Sequence, residues 1–262
     1  MRIARFAAKN GQVKYGVVEG ESIRAIQGDI LGSWKASGRA VPLGEVTLRA
    51  PVDPSNIIAL GRNYAEHAKE GAADIPAAPA VFLKATSAVT HPGSPILLPK
   101  MAPNQVDYEA ELAVIIGKAA SNVREEDALQ YVFGYTCGND VSARDCQRGD
   151  LQWARAKSFN TFAPLGPWME TELDAGHCPI ACRVNGRTLQ ESNTSEMVFS
   201  VPYIISYLSR CMILQPGTVI MTGTPSGCGF ARKPPVWLRP NDVVEVEIGG
   251  IGVLRNPVMN EE

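Results

Sequence analysis

Histidine is scarce: only His67, His91 and His177 occur among 262 residues, and no two stand at zinc-ligand spacing. Cysteine does not fill the gap. The six cysteines (137, 146, 178, 182, 211 and 228) include no Cys-x-x-Cys pair, and no second pair completes a zinc set with Cys178 and Cys182. They read as free thiols of a reducing compartment, so any metal read from the sequence must lean on oxygen ligands. Long apolar runs are missing too. Leu112–Ile116 and Val201–Leu208 fall well short of the roughly 20 residues a spanning helix needs. Met1–Gly11 interleaves Arg2, Arg5 and Lys9 with single apolar residues and lacks a signal-peptide core. These absences predict a soluble, cytoplasmic protein with no membrane partner. Positive charge is not in excess either: 25 Lys and Arg face 27 Asp and Glu, which gives nucleic acid no bulk field to follow.

What remains is a chain long enough for one large domain, or one with an appendage. Residues 1–50 read as a small N-terminal β domain. Arg2–Ala8 and Val13–Glu19 are short strands around an Asn10-Gly11 hairpin turn, and Ser22–Ile26 is a third. Leu48–Asn56, with Pro51 and Pro54, reads as a linker into a body spanning 51–262. Strand-like runs fill that body: Ile57–Leu60, Ala80–Lys84, Pro95–Leu98, Tyr108–Gly117, Val132–Gly138, Ile180–Val184, Thr218–Thr222 and Val243–Ile248. Asn185-Gly186 is a hairpin signal. Helices are fewer: Tyr64–Glu70, Glu125–Tyr131, and one capped by Ser200 with Ile205, Leu208 and Met212 on a single face. Strands without regular helix alternation predict a mixed, β-rich α+β fold, largely antiparallel.

Asp107-Tyr108-Glu109-Ala110-Glu111-Leu112 carries the sharpest chemical signal. As a strand it sets Glu109 and Glu111 on one face, roughly 6.6 Å apart, with Ala113 and Ile115 continuing that face. Two solvated glutamates would suit a wet face. The apolar continuation argues for burial, where paired carboxylates repel and a divalent cation relieves them. Asp140, after the Val132–Gly138 run, is open to two readings, a helix N-cap or a third acid. Three carboxylates without histidine would suit Mg²⁺ or Mn²⁺. His67 and Glu70, three apart on a short helix, stack as an imidazole–carboxylate pair; as a surface ion pair they would be unremarkable. Lys157, in the run Arg155-Ala156-Lys157, would by default be a surface lysine.

Six segments in order then resemble the fumarylacetoacetate hydrolase family across roughly residues 50–258. They are Gly-Arg-Asn-Tyr-Ala-Glu-His at 61–67, Asp-Tyr-Glu-Ala-Glu-Leu at 107–112, and Asn-Asp-Val-Ser-Ala-Arg-Asp at 139–145. Ala-Lys-Ser-Phe at 156–159, Thr-Gly-Thr-Pro-Ser-Gly at 222–227 and the closing stretch from Arg232 to Asn256 complete the set. The first 50 residues resemble the appendage of many bacterial members. The resemblance implies a fumarylacetoacetase C-terminal-like β-roll, a homodimer, and Glu109, Glu111 and Asp140 as ligands of Mg²⁺ or Mn²⁺, with Ca²⁺ able to stand in within crystals. It implies Lys157 beside the metal, and His67 with Glu70 as the water-activating dyad of a lid flanked by Gly71–Pro79. Arg62, Arg144, Gln147 and Thr224 become candidates for holding a small 2-oxo or diketo acid. Where the family often has Val, this chain has Cys228, which alters the pocket's shape.

The expected reaction is hydrolytic C–C cleavage of an acylpyruvate-like β-diketo acid through a stabilised enolate. The alternative is isomerisation or decarboxylation of a 2-oxo-heptenedioate from aromatic-acid breakdown, or oxaloacetate decarboxylation or tautomerisation, all of which pass through such an enolate. A non-catalytic oxo-acid-binding member is a third reading.

Overall fold

A computed structural model describes residues 1–262. Its spine is one long sheet ordered Trp34–Ala36, Ser22–Gly28, Val13–Glu19, Arg2–Ala7, Ala163–Glu170, Val132–Asn139, Ala110–Ile116, Val219–Met221, Ile57–Gly61, Ala80–Lys84. A second sheet, Ile96–Leu98, Gly252–Asn260, Val243–Ile248, Pro179–Val184, Arg187–Asn193, packs across the centre of the first. Most pairings are antiparallel; Val219–Met221 with Ile57–Gly61, Ile96–Leu98 with Gly252–Asn260, and Val89–Thr90 with Ala163–Glu170 are parallel. The fold is mixed and sheet-rich, as the run of unalternated strands predicts.

Ala110–Ile116 is the centre of the core, with all seven residues buried. Both faces are therefore dry, which explains its near-continuous apolar sequence. Truncating Leu112, fully buried, to Ala would cost about 2–5 kcal/mol.

The strand is shorter than the expected Tyr108–Gly117. Tyr108 N–H donates to Asp107 Oδ1 and Glu109 N–H to Asn139 Oδ1, so side chains take the place of the ladder and the chain breaks stride at Glu109. Glu109 thus precedes the strand, while Glu111 lies within it and is buried, as the apolar continuation of its face argued.

Other elements shift for similar local reasons. The expected linker opens as a strand, Thr47–Arg49, pairing with Arg2–Ala7. Glu125–Tyr131 winds as a 3₁₀ helix rather than an α-helix. The helix Val201–Cys211 is capped by Ser200 Oγ, which accepts from Tyr203 N–H at 3.3 Å, but it ends before Met212, which is 41% exposed and off the buried face. The hairpin at Asn185-Gly186 turns with φ of 52° and 77°, both left-handed, as a two-residue turn between twisted strands requires. Ala163–Glu170 is a central strand whose apolar content is broken by Gly166 and Pro167, which hid it from a periodicity reading.

No helix is long and apolar enough to cross a membrane. All six cysteines are free thiols.

Candidate active site

The antiparallel register sets the site. Ala110 stands opposite Asn139, so the residues just beyond, Glu109 and Asp140, meet where the two strands end. The Asp140 N–H closes the junction by donating to the Glu109 carbonyl at 2.9 Å. Asp140 caps no helix, since the next one begins at Arg144. Glu111, inside the strand, joins them, and one carboxylate oxygen from each lies within 4.8 Å of the others. All three are buried.

Cations from three other elements face these acids. Lys157, at the end of the short helix Ala154–Lys157, donates to Glu109 Oε2 at 2.7 Å and Asp140 Oδ2 at 2.6 Å. Only 2% of it is exposed, against the default for a lysine in a mixed run. Arg144 reaches Glu109 Oε1 at 2.6 Å and Asp107 Oδ2 at 2.9 Å. Lys84, at the end of the strand Ala80–Lys84, donates to Asp140 and is fully buried at its side chain.

Burial alone would push Glu109 up, but the Lys157 and Arg144 cations outweigh it and hold the carboxyl well below its usual range. Glu111 goes the other way: burial first, then the Asp140 and Glu109 charges, raise it well above. Burial pulls Lys84 down, with Asp140 opposing. Burial also works against Lys157, but Asp140 and Glu109 leave it raised.

Glu111 Oε2 accepts from Gly223 N–H at 2.9 Å, while its buried Oε1 has no partner at all. An orphaned carboxylate oxygen pointing among two further carboxylates is costly unless a cation completes it. Only oxygen donors converge there, and such a set fits a hard divalent ion. Gly223 reaches Glu111 because its φ is +97°, and a Cβ would sit 2.7 Å from Asn63 Cβ. Asn63, itself buried, donates to Thr222 O at 2.7 Å and so ties this turn to the segment leading into Ala65–Glu70.

That helix carries His67 and Glu70, joined by Nδ1 and Oε1 at 2.9 Å. They are no surface pair: their side chains are 12% and 18% exposed. Gly227 N–H donates to Glu70 Oε2 at 2.8 Å, orienting the carboxylate.

A cavity of about 380 Å³ opens over this arrangement. Its lining includes His67, Glu109, Arg144, Gln147, Lys157 and Thr224, with Arg62 at its edge and Phe82, Trp153 and Phe230 as apolar walls. Arg144 lies over the Phe230 ring at 4.6 Å and Lys157 over Phe82 at 5.2 Å. Gln147 accepts from Arg144 at 2.8 Å, as their helical spacing suggests. Residues 71–79 hold no regular structure, and Gly71 and Ala73 line the cavity.

Every residue singled out from the sequence therefore falls in or beside one cleft. Three more escaped notice. Lys84 ends an ordinary apolar strand and carries no local signal. Asp107, buried, accepts from Arg144 and from Gly229 N–H at 2.8 Å; it sat inside a quoted motif without a role. Gln190 accepts from Ala110 N–H at 2.9 Å and donates to Thr224 Oγ1 at 2.7 Å, bridging the two sheets.

The chain belongs to the fumarylacetoacetate hydrolase family: residues 56–259 match the family described as fumarylacetoacetate (FAA) hydrolase C-terminal. Residues 1–51 match an N-terminal family described as Rv2993c-like. Among relatives, "Oxaloacetate tautomerase fahd2, mitochondrial" of Xenopus laevis is 44% identical over 220 residues, covering 82% of this chain and 69% of its own length. "Protein Rv2993c" of Mycobacterium tuberculosis is 40% identical and covers 100% of this chain and 99% of its own. Among solved structures, the 2-hydroxyhepta-2,4-diene-1,7-dioate isomerase of Mycobacterium marinum superposes with a TM-score of 0.90 at 39% identity, over 100% of this chain and 99% of its own. The fumarylacetoacetate hydrolase of Exiguobacterium antarcticum superposes at 0.90 with 36% identity, over the whole of both chains.

Proposed function

We propose that this protein is a metal-dependent isomerase or tautomerase of a small 2-oxo dicarboxylic acid, moving a proton through an enolate without breaking a C–C bond. The observation that carries the reading is the His67–Glu70 pair, set at the wall of a cavity floored by Glu109 and Lys157. The reading is supported by the names of the tautomerase and isomerase relatives, which favour the alternative over the hydrolytic cleavage first expected.

Glu109, Glu111 and Asp140 would hold Mg²⁺ or Mn²⁺, which would supply Lewis-acid polarisation of a keto group. The chain's own residues do the rest. Arg144 and Arg62 offer guanidinium groups to the substrate carboxylates. Lys157, kept cationic by its carboxylate neighbours, favours negative charge on the oxygen that becomes enolate. Glu70 accepts from His67 Nδ1 and so leaves Nε2 to take a proton from one carbon and return it to another atom. Phe82, Trp153 and Phe230 exclude water from the cavity, which protects the enolate.

The test is incubation in D₂O of the enol form of oxaloacetate, and of 2-hydroxyhepta-2,4-diene-1,7-dioate, with enzyme and Mg²⁺, followed by NMR. The expected product has the substrate's carbon skeleton and carries deuterium, and His67→Ala slows its formation by about 10²-fold or more. Two carbon fragments, or release of CO₂ as the main course, would sink the proposal in favour of cleavage.

A further inference from the structure

Beside the oxygen triad lies a second group of metal-ligand side chains with a different chemistry. Cys228 is 161 residues from His67 in sequence, yet its Sγ lies 3.7 Å from His67 Nδ1. With Glu70, the three ligand atoms fall within 4.8 Å of one another. Tetrahedral zinc, with bonds of about 2.0 Å to N and O and about 2.3 Å to S, sets N···S at about 3.5 Å and N···O at about 3.3 Å. The spacings here, 3.7 Å and 2.9 Å, differ by only a few tenths of an ångström. Gly227 N–H already holds Glu70 Oε2, so Oε1 remains directed at the imidazole, an orientation that metal sites ordinarily need a supporting partner to achieve. His67 lines the cavity, which gives an ion a path from solvent.

We propose that His67 Nδ1, Glu70 Oε1 and Cys228 Sγ form an inhibitory site for Zn²⁺, separate from the carboxylate triad. Nitrogen, oxygen and sulfur together are a zinc donor set, whereas the triad offers oxygen alone. On binding, the ion takes the place of the Nδ1–carboxylate hydrogen bond: Nδ1 gives up its proton and Nε2 takes one from solvent, so the imidazole stays neutral, while the thiol proton passes to solvent and a water fills the fourth position. His67 is then unable to cycle its proton. That last consequence rests on the acid–base role proposed for His67; the binding itself does not.

Co²⁺ serves as the probe, added to the metal-free full-length protein. A cobalt ion on the triad has no sulfur ligand, so a thiolate-to-cobalt charge-transfer band in the near ultraviolet reports binding at a cysteine and not at the triad. The band is expected in the wild type, displaced by Zn²⁺, and lost in Cys228→Ala and in His67→Gln, with folding checked by circular dichroism. Where Cys228→Ala does not fold, His67→Gln decides alone. No band at saturating Co²⁺ overturns the site, as does a band that persists in Cys228→Ala, which would assign it to another thiol such as the exposed Cys211. With Mg²⁺ in excess, Zn²⁺ should inhibit turnover, and Cys228→Ala should need at least tenfold more zinc for the same effect. A wild-type band with zinc-insensitive turnover would instead remove the acid–base role of His67 and leave the site standing.

Discussion

Glu111 shows how one carboxyl group can serve binding at the expense of stability. Its burial beside Asp140 and Glu109 disfavours its charge, and one of its oxygens has no partner. Glu111→Gln should therefore stabilise the metal-free protein, by about 1 kcal/mol, while abolishing the gain in Tm on adding Mg²⁺. Paired thermal melts with and without Mg²⁺ read both directions at once, and a destabilised metal-free variant would contradict the account. Lys157 is the complementary case. Lys157→Met leaves Glu109 and Asp140 short of a buried cation and should cost about 3–5 kcal/mol in denaturant unfolding. His91, which does not line the cleft, adds a pH dependence of its own. His91 Nδ1 accepts from Ala50 N–H at 3.2 Å, and burial, then the Arg49 and Arg5 charges, hold the imidazole below its ordinary range. A depressed imidazole means the unfolded chain binds the proton first, so this contribution is whole above the unfolded value, roughly 6.5, and fades as pH falls toward the folded one. Melts of His91→Gln should show a flatter acid limb than the wild type between about pH 5 and 7.

At the scale of elements, the turn after Val219–Met221 matters more than any helix. Gly223 adopts a left-handed φ, leaves no room for a Cβ beside Asn63, and presents its N–H to Glu111. Gly223→Ala should cost a few kcal/mol and weaken Mg²⁺ binding at least tenfold, because the backbone that orients Glu111 must move. Calorimetric titration checks it. If the variant binds Mg²⁺ as tightly as the wild type, the turn is not what positions the carboxylate. The short helix Ala65–Glu70 depends on the same turn, since Asn63 and Glu70 are both held by the 222–228 segment. The dyad and the triad are thus anchored to one loop.

At the scale of the whole molecule, the N-terminal strands are not simply strung ahead of the body. Arg2 pairs with Glu170 and Ile3 with Met169, so the N-terminal hairpin extends the main sheet. Arg5 bonds Asp53, and Met1's ammonium bonds Glu170, across the same seam. We propose that residues 1–50 act as a covering unit for the body. Removing them would bare the central strand Ala163–Glu170 as an open edge, and the truncated chain should aggregate. Size-exclusion chromatography of residues 51–262 tests this: a soluble, homogeneous species would mean that the seam is dispensable.

The sequence by itself determined the elements whose causes are local. The Asn185-Gly186 hairpin, the Ser200 cap and the apolar run through Ile116 follow from turn chemistry, capping and burial within a few residues. Ordered motifs also sufficed to name the family and to nominate Glu109, Glu111, Asp140, Lys157 and the His67–Glu70 pair. Tertiary structure alone decided what depends on distant chain. Register between two strands brought Asp140 beside Glu109, and no rule of spacing contains that register. Lys84 acquires its meaning only because its strand ends under Asp140. Cys228 looked like a pocket substitution, and histidine and cysteine seemed too dispersed for zinc. Folding set the thiol against His67, because coordination depends on distance in space and not on separation along the chain.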